Sequence, residues 1–183
     1  GHVLVVAFSC KRRGVCPSCN ARRMCSTAAH LADRVFPDVP VRQWVLSVPF
    51  ELRLLLARSP AALTALDRIF FAAIFAWQRA RARELGLDPA AVRGAGVTHL
   101  QRFGGALNLN VHLHAGVCDG VFARPRGAAP SSPAPRAEFQ ALRAPTAAEL
   151  AAMAAEIRAR LLRWLGRRGL LCASAPSAAD GAA

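Results

Sequence analysis

The chain has 183 residues, with 24 Lys plus Arg against 11 Asp plus Glu, a formal net charge of +13 and a pI near 11.4. Lys11 is the sole lysine, so the cations are almost all arginine, whose planar guanidinium suits bidentate phosphate contact. This excess of cations over acids excludes a charge-neutral housekeeping domain and reads as nucleic-acid binding; an arginine-rich codon bias accounts for the identity of the cations but not for their excess.

A chain of this length buries on the order of 70% of its unfolded surface, enough for one core and a small appendage. Its most apolar run, Ile69 to Trp77, is too short to cross a bilayer, so no membrane partner is expected. No basic stretch leads an apolar signal core. Cys10, Cys16, Cys19 and Cys25 crowd into one arginine-rich segment, which reads as cytoplasmic metal binding rather than disulfide stapling. The sequence opens at Gly1 inside a strand-like run, which reads as a fragment, and it contains no tyrosine.

In chain order, His2 to Phe8 is strand-like and Ser9 to Cys25 is a cysteine-rich basic knuckle. Asn20 to Phe36 has a helical pattern ended by Pro37 and Pro40. Val41 to Val48 alternates as a strand that stops at Pro49. Ser59 and Pro60 form an N-cap and first-turn pair, opening a helix to about Leu85 with Leu63, Leu66, Phe70, Ile74 and Trp77 on one face. Gly86 ends it, and Pro89 to Gly96 is a loop. Val97 to Phe103 and Leu107 to Val117 are strands around Gly104 and Gly105. Arg124 to Arg136 is an exposed loop. Thr146 and Glu149 make a capping box for a last helix with Leu150, Met153, Ile157, Leu161 and Trp164 along one side. After Gly169 the sequence decays into Ala, Ser and Pro, a disordered tail.

The most informative stretch is Leu107 to Ala115. Strict alternation puts Leu107, Leu109, Val111, Leu113 and Ala115 on one face, and Asn108, Asn110, His112 and His114 on the other. This implies a sheet with one buried face and one polar, working face. With a two-residue Gly104-Gly105 turn, Phe103 pairs with Ala106, Gln101 with Asn108, His99 with Asn110 and Val97 with His112, which brings His99 and Gln101 into the same polar patch. Histidines at i and i+2 of a strand project side by side and can share one divalent ion. The alternative is a solvated polar face whose members satisfy one another.

The run Phe8 to Met24, then Val41 to Ser47, then Gln101 to His114 with Asp119 to Phe122, closely resembles the rolling-circle insertion-sequence transposases. The resemblance extends from Gly1 to about Leu171. It implies an N-terminal zinc-binding domain followed by a His-hydrophobic-His (HUH) endonuclease domain. It further implies that His112 and His114 hold a divalent ion, Mg²⁺ or Mn²⁺, that polarises a scissile phosphate of single-stranded DNA. In that family a downstream tyrosine attacks the phosphate to form a 5′-phosphotyrosine link and a free 3′-hydroxyl. Here the nucleophile is missing, so no catalytic residue is assigned, and a metal- and DNA-binding remnant without nicking activity is expected. The hairpin geometry, rather than the family, points to His99 or Gln101 as a third ligand.

Cys16-Pro-Ser-Cys19 is a C-x-x-C turn that places two thiolates on one Zn²⁺. In the resembling family a second pair lies just upstream of the Gly1-His2 position, so half the site is absent; Cys10 and Cys25 are the candidates to complete a Cys₄ set. Lys11, Arg12, Arg13, Arg22 and Arg23 around the knuckle suit phosphate contact. Arg102, Asn108 and Asn110 are assigned to DNA beside the histidines. Trp44, Phe103 and Trp164 are available to stack on bases.

The organisation expected is a partial zinc-binding domain at 1–36, an α+β HUH-like domain at 37–171 with the histidine strand central in an antiparallel sheet, and a tail at 172–183. The partner expected is single-stranded or hairpin DNA. Two alternatives are a non-catalytic zinc-dependent DNA-binding module and a cupin-like metalloenzyme using the same His-x-His.

Overall fold

The computed structural model describes residues 17–106, 108–124 and 137–171, and the chain divides into two units, Gly1–Val39 and Pro40–Ala183. The expected strand at His2 to Phe8, the knuckle up to Cys16, most of the loop before Arg136 and the tail from Cys172 lie outside the described residues.

In the first unit, α1 spans Pro17–His30 and runs on as a π-helical turn over Leu31–Val35. Proline is favoured near a helix start because its missing N–H would have no intrahelical acceptor there. The helix continues through Ala28, Ala29 and Ala32, and the Phe36 N–H closes onto the Leu31 carbonyl at 2.8 Å before Pro37. Cys19 therefore sits in the first turn of a helix.

The second unit is α+β. Strand β1 (Val41–Ser47), β2 (Gly96–Phe103) and β3 (Leu109–Cys118) form an antiparallel sheet in the order β1-β3-β2, with the histidine strand central as expected. One face of β3 supplies Val111, Leu113, Ala115 and Val117 to the core, all essentially buried. Onto that face pack α3 (Pro60–Glu84) and α4 (Ala147–Arg167), through Leu63, Leu66, Phe70 and Ile74 of the first and Met153, Ile157, Leu161 and Leu165 of the second. The helices start where their caps dictate: the Ser59 side chain accepts from the Ala62 N–H, and Thr146 and Glu149 cap each other reciprocally. Gly86, at a φ of 71°, ends α3 in the left-handed region. By length and composition α3 is long and apolar enough to span a membrane, yet its apolar stripe is packed into this core.

Several expectations need correction. The Gly104-Gly105 hairpin does not form: neither glycine takes the positive φ that a tight two-residue turn requires. Instead the Gly104 N–H donates to the Asn108 carbonyl at 2.9 Å, which closes a longer loop. The register moves accordingly, so His99 faces His114, Gln101 faces His112, Val97 faces Gly116 and Phe103 faces Leu109, with a slip between Gln101 and Phe103. On α4, Leu165 rather than Trp164 completes the buried stripe, and Leu150 is exposed.

Three elements were not legible in the sequence. Helix α2 (Phe50–Arg58) is short and buries only Leu56 completely. Strands β4 (Gly120–Ala123) and β5 (Glu138–Ala141) form a separate two-stranded sheet over a second small cluster of Ala82, Val92, Val121, Ala123 and Leu142. Gly120 is needed there because a Cβ would overlap the Gln140 carbonyl and the Phe139 ring. Helices packed on one face of a three-stranded sheet do not fit the cupin-like alternative, which needs a mostly β fold.

Candidate metal and nucleic-acid site

The polar face of the three-stranded sheet is built by alternation, and it survives the change of register. Moving the partner of His99 from Asn110 to His114 is a shift of four residues, an even number, so His99 and Gln101 keep their face; only past the slip, at Phe103, is the shift odd. Two rows result. Val45, His114 and His99 lie across the three strands in one, and Ser47, His112 and Gln101 in the next. His99 and Gln101 are exposed, whereas His112 and His114 are half-buried in the central strand.

The two histidine rings lie edge to face with centroids 4.9 Å apart. His112 Nδ1 is 2.6 Å from the Asn110 carbonyl oxygen. A carbonyl only accepts, so Nδ1–H donates and the Nε2 lone pair remains available. His114 Nδ1 lies 2.8 Å from Gln43 Nε2, on β1. With the amide as placed, its N–H donates to Nδ1; with the amide turned over, Nδ1–H donates to the amide oxygen and Nε2 is again left for a cation. His112 is thus held through Nδ1 by a partner of the kind that orients metal-ligating histidines, and the turned-over amide of Gln43 holds His114 in the same way. Among the described residues no three His, Cys, Asp or Glu converge as a metal site, so a cation here would take two imidazoles and complete its shell with amide, water or substrate oxygens.

Gln43 was not singled out in the sequence. The signal was present, since alternation along Val41–Ser47 puts Gln43, Val45 and Ser47 on one face, but nothing in the sequence pairs β1 with β3. The pairing is pinned by Arg42, whose Nε and second guanidinium nitrogen donate to the two carboxylate oxygens of Asp119 at 2.9 and 2.6 Å. Hydrogen bonding and charge from Asp119 raise the Arg42 pKa further. The Asp119 N–H also donates to the Pro40 carbonyl. From behind, the buried Gln78 of α3 donates to the Cys118 carbonyl at 2.8 Å and ties the end of β3 to the helix layer. Burial pushes the Cys118 thiol pKa up, as suits a packing residue.

The other candidates are dispersed. Asn110 is half-buried beside His112, and Asn108 and Arg102 are exposed near the slip in the β2–β3 ladder. Phe103 is 56% exposed at the end of β2, while Trp44 is buried edge-on against Trp77. Arg22 and Arg23 are exposed on α1, and Cys25 is an exposed free thiol of that helix. Lys11, Arg12, Arg13, Cys10 and Cys16 lie outside the described residues, as does the Cys19 side chain. An apolar cavity of about 400 Å³ between β1, α2, α3 and α4 includes none of the histidines.

Residues 1–48 match the family model of the IS91-type transposase zinc-binding domain. The match covers the first unit and runs through β1, which carries Gln43. It supports an N-terminal segment similar to the zinc-binding domain of transposases. No curated protein and no solved structure matches the chain.

Proposed function

We propose that this chain is the zinc-binding and metal-binding portion of a rolling-circle transposase of the HUH type, acting on single-stranded ends of a mobile element. The observation that carries this reading is the paired imidazoles of His112 and His114, each held through Nδ1, on a polar sheet face in a chain whose first 48 residues match a transposase zinc-binding domain.

His112 and His114 would hold Mg²⁺ or Mn²⁺ through Nε2, with Gln101 and His99 on the adjoining strand as the nearest candidates for a further ligand. When bound, the ion supplies Lewis-acid stabilisation of charge on a phosphate oxygen. The residues of the chain do the rest. Asn110 and Gln43 fix the ring orientations, Arg102 and Asn108 flank the strand path, and exposed Phe103 offers a surface for a base. The 183 residues contain no tyrosine, so a tyrosine nucleophile has to come from outside them. Zn²⁺ is assigned to Cys16 and Cys19, with Cys10 and Cys25 as the further thiolates in reach by sequence.

Calorimetry with Mn²⁺ tests the reading on the full chain, with and without a single-stranded hairpin oligonucleotide. Binding that strengthens with DNA and disappears in His112→Ala/His114→Ala supports it. Equal or absent binding in both proteins makes the histidine strand structural.

A further inference from the structure

The helix pair α3–α4 gathers arginines around one indole, that of Trp164. Near the C-terminal end of α3, Arg81 pairs with Glu84 and Glu149, and Arg143 donates to both carboxylate oxygens of Glu149 at 2.7 and 2.8 Å, while Arg79 and Arg83 are exposed. At the other end Arg68 of α3 and Arg160, Arg163, Arg167 and Arg168 at the end of α4 gather around Trp164. Among these, Arg160 alone has a carboxylate near it, Glu156 at 3.9 Å. Two shallow cavities of about 380 and 270 Å³ share Ile69 and Trp164 as walls. Arg68 and Arg168 line the first, and Arg160, Arg163 and Arg167 line the second. The Arg168 guanidinium lies over the half-buried Trp164 ring, 5.1 Å from its centroid.

This arrangement is not needed for packing. The buried stripe of α4 is Met153, Ile157, Leu161 and Leu165, and the arginines lie off it. Five neighbouring cations with one carboxylate beside them, Glu156, repel one another unless a further anion lies among them. A cluster of guanidinium groups beside an indole fits a phosphodiester strand, with phosphates on the arginines and a base stacked on the Trp164–Arg168 pair. The helices cover the buried face of the sheet, so this surface lies on the side opposite the histidines.

We infer that the Trp164 end of the α3–α4 pair is a second binding surface for single-stranded DNA, separate from the histidine face. The inference rests on the DNA-binding part of the functional reading but not on its metal chemistry.

The test is fluorescence anisotropy of the full chain with labelled oligothymidylate of about 20 nucleotides over a salt series. The variants are Arg163→Gln/Arg167→Gln, Trp164→Ala and Trp164→Phe. A control, Arg79→Gln/Arg83→Gln, removes the same charge from exposed positions roughly 16–22 Å farther along α3. Circular dichroism melts confirm that each protein is folded. The expected result is about tenfold weaker binding for Arg163→Gln/Arg167→Gln, with the slope of log K against log salt reduced by about 1.4. Trp164→Ala loses about fivefold or more with the slope unchanged, and Trp164→Phe recovers most of it. Affinities and slopes for Arg163→Gln/Arg167→Gln that match those of the control pair overturn the assignment. A preference for duplex that is insensitive to Trp164→Phe and Trp164→Ala also overturns it. If the wild-type chain fails to bind the oligonucleotide even at low salt, the DNA-binding reading itself falls. If it binds and only His112→Ala/His114→Ala weakens it, the histidine face stands and this second surface does not.

Discussion

Gln43→Ala removes the group 2.8 Å from His114 Nδ1 and leaves the backbone of β1, its ladder to β3 and the Arg42–Asp119 pair in place. The hydrogen bond is exposed, so its loss costs the fold about 1 kcal/mol or less. Its larger effect is on ring orientation. With Nδ1 unanchored, the His114 ring rotates about its side-chain bonds and its orientation relative to the His112 ring is no longer fixed. Loss of such an orienting partner typically lowers metal affinity about 10–100-fold, or roughly 1.4–2.7 kcal/mol, and exposure puts this case near the lower end. Gln43→Glu should act in the opposite sense, since a carboxylate can only accept from Nδ1–H and so enforces the tautomer with a free Nε2. Mn²⁺ calorimetry gives the affinities, and nitrogen-detected NMR of the imidazoles reports the tautomer of His114. Affinity within a factor of two of wild type in both variants, with the His114 tautomer unchanged in Gln43→Glu, would refute the orienting role.

Three further outcomes are expected. Leu66→Ala empties a site only 1% exposed between α3 and the sheet, and should cost about 3 kcal/mol, lowering the thermal midpoint by roughly 6–12 °C; a shift under 2 °C would mean that the core is not packed through this residue. Thr146→Ala breaks the capping box of α4 and should cost about 1 kcal/mol in denaturant titrations, with Thr146→Ser recovering most of it. Hydrogen bonds from Arg143 and then from the Thr146 backbone N–H hold the Glu149 carboxyl well below the usual carboxylate range. A lowered pKa in the folded state contributes stability that is present above the usual carboxylate pKa and lost as pH falls through the folded one, so Glu149→Gln should flatten the decline in stability between roughly pH 5 and pH 2. Equal pH slopes for the two proteins would contradict that linkage.

Much of the site was legible because it depends on parity alone. Val111, Leu113 and Ala115 had to share a face, and the apolar one had to be buried, whatever strands lay alongside. His112 and His114 followed onto the opposite face, and His99 and Gln101 joined them because the true register differs from the expected one by an even number of residues. The capped starts of α3 and α4 were equally local, fixed by Ser59 and by Thr146 with Glu149. The transposase resemblance was legible too, and the match over residues 1–48 supports its N-terminal part.

Non-local pairing and local backbone energy lay beyond the sequence. Gly104 and Gly105 permit a tight turn but do not impose one, and the Gly104–Asn108 hydrogen bond selects the longer loop. Phe50–Arg58 is too short and too weakly amphipathic to declare itself, and becomes helical where Leu56 finds a fully buried place in the core. The β4–β5 ladder joins segments on either side of a long loop, so neither strand identifies its partner. The same holds for the contacts that turn a row of histidines into an oriented pair. The sequence by itself determined which side chains share a face, because alternation along a strand is a property of the chain. Tertiary structure decided which strand supplies Gln43 to His114 and which helix end gathers arginines of α3 and α4 around Trp164, because only folding brings those distant residues together.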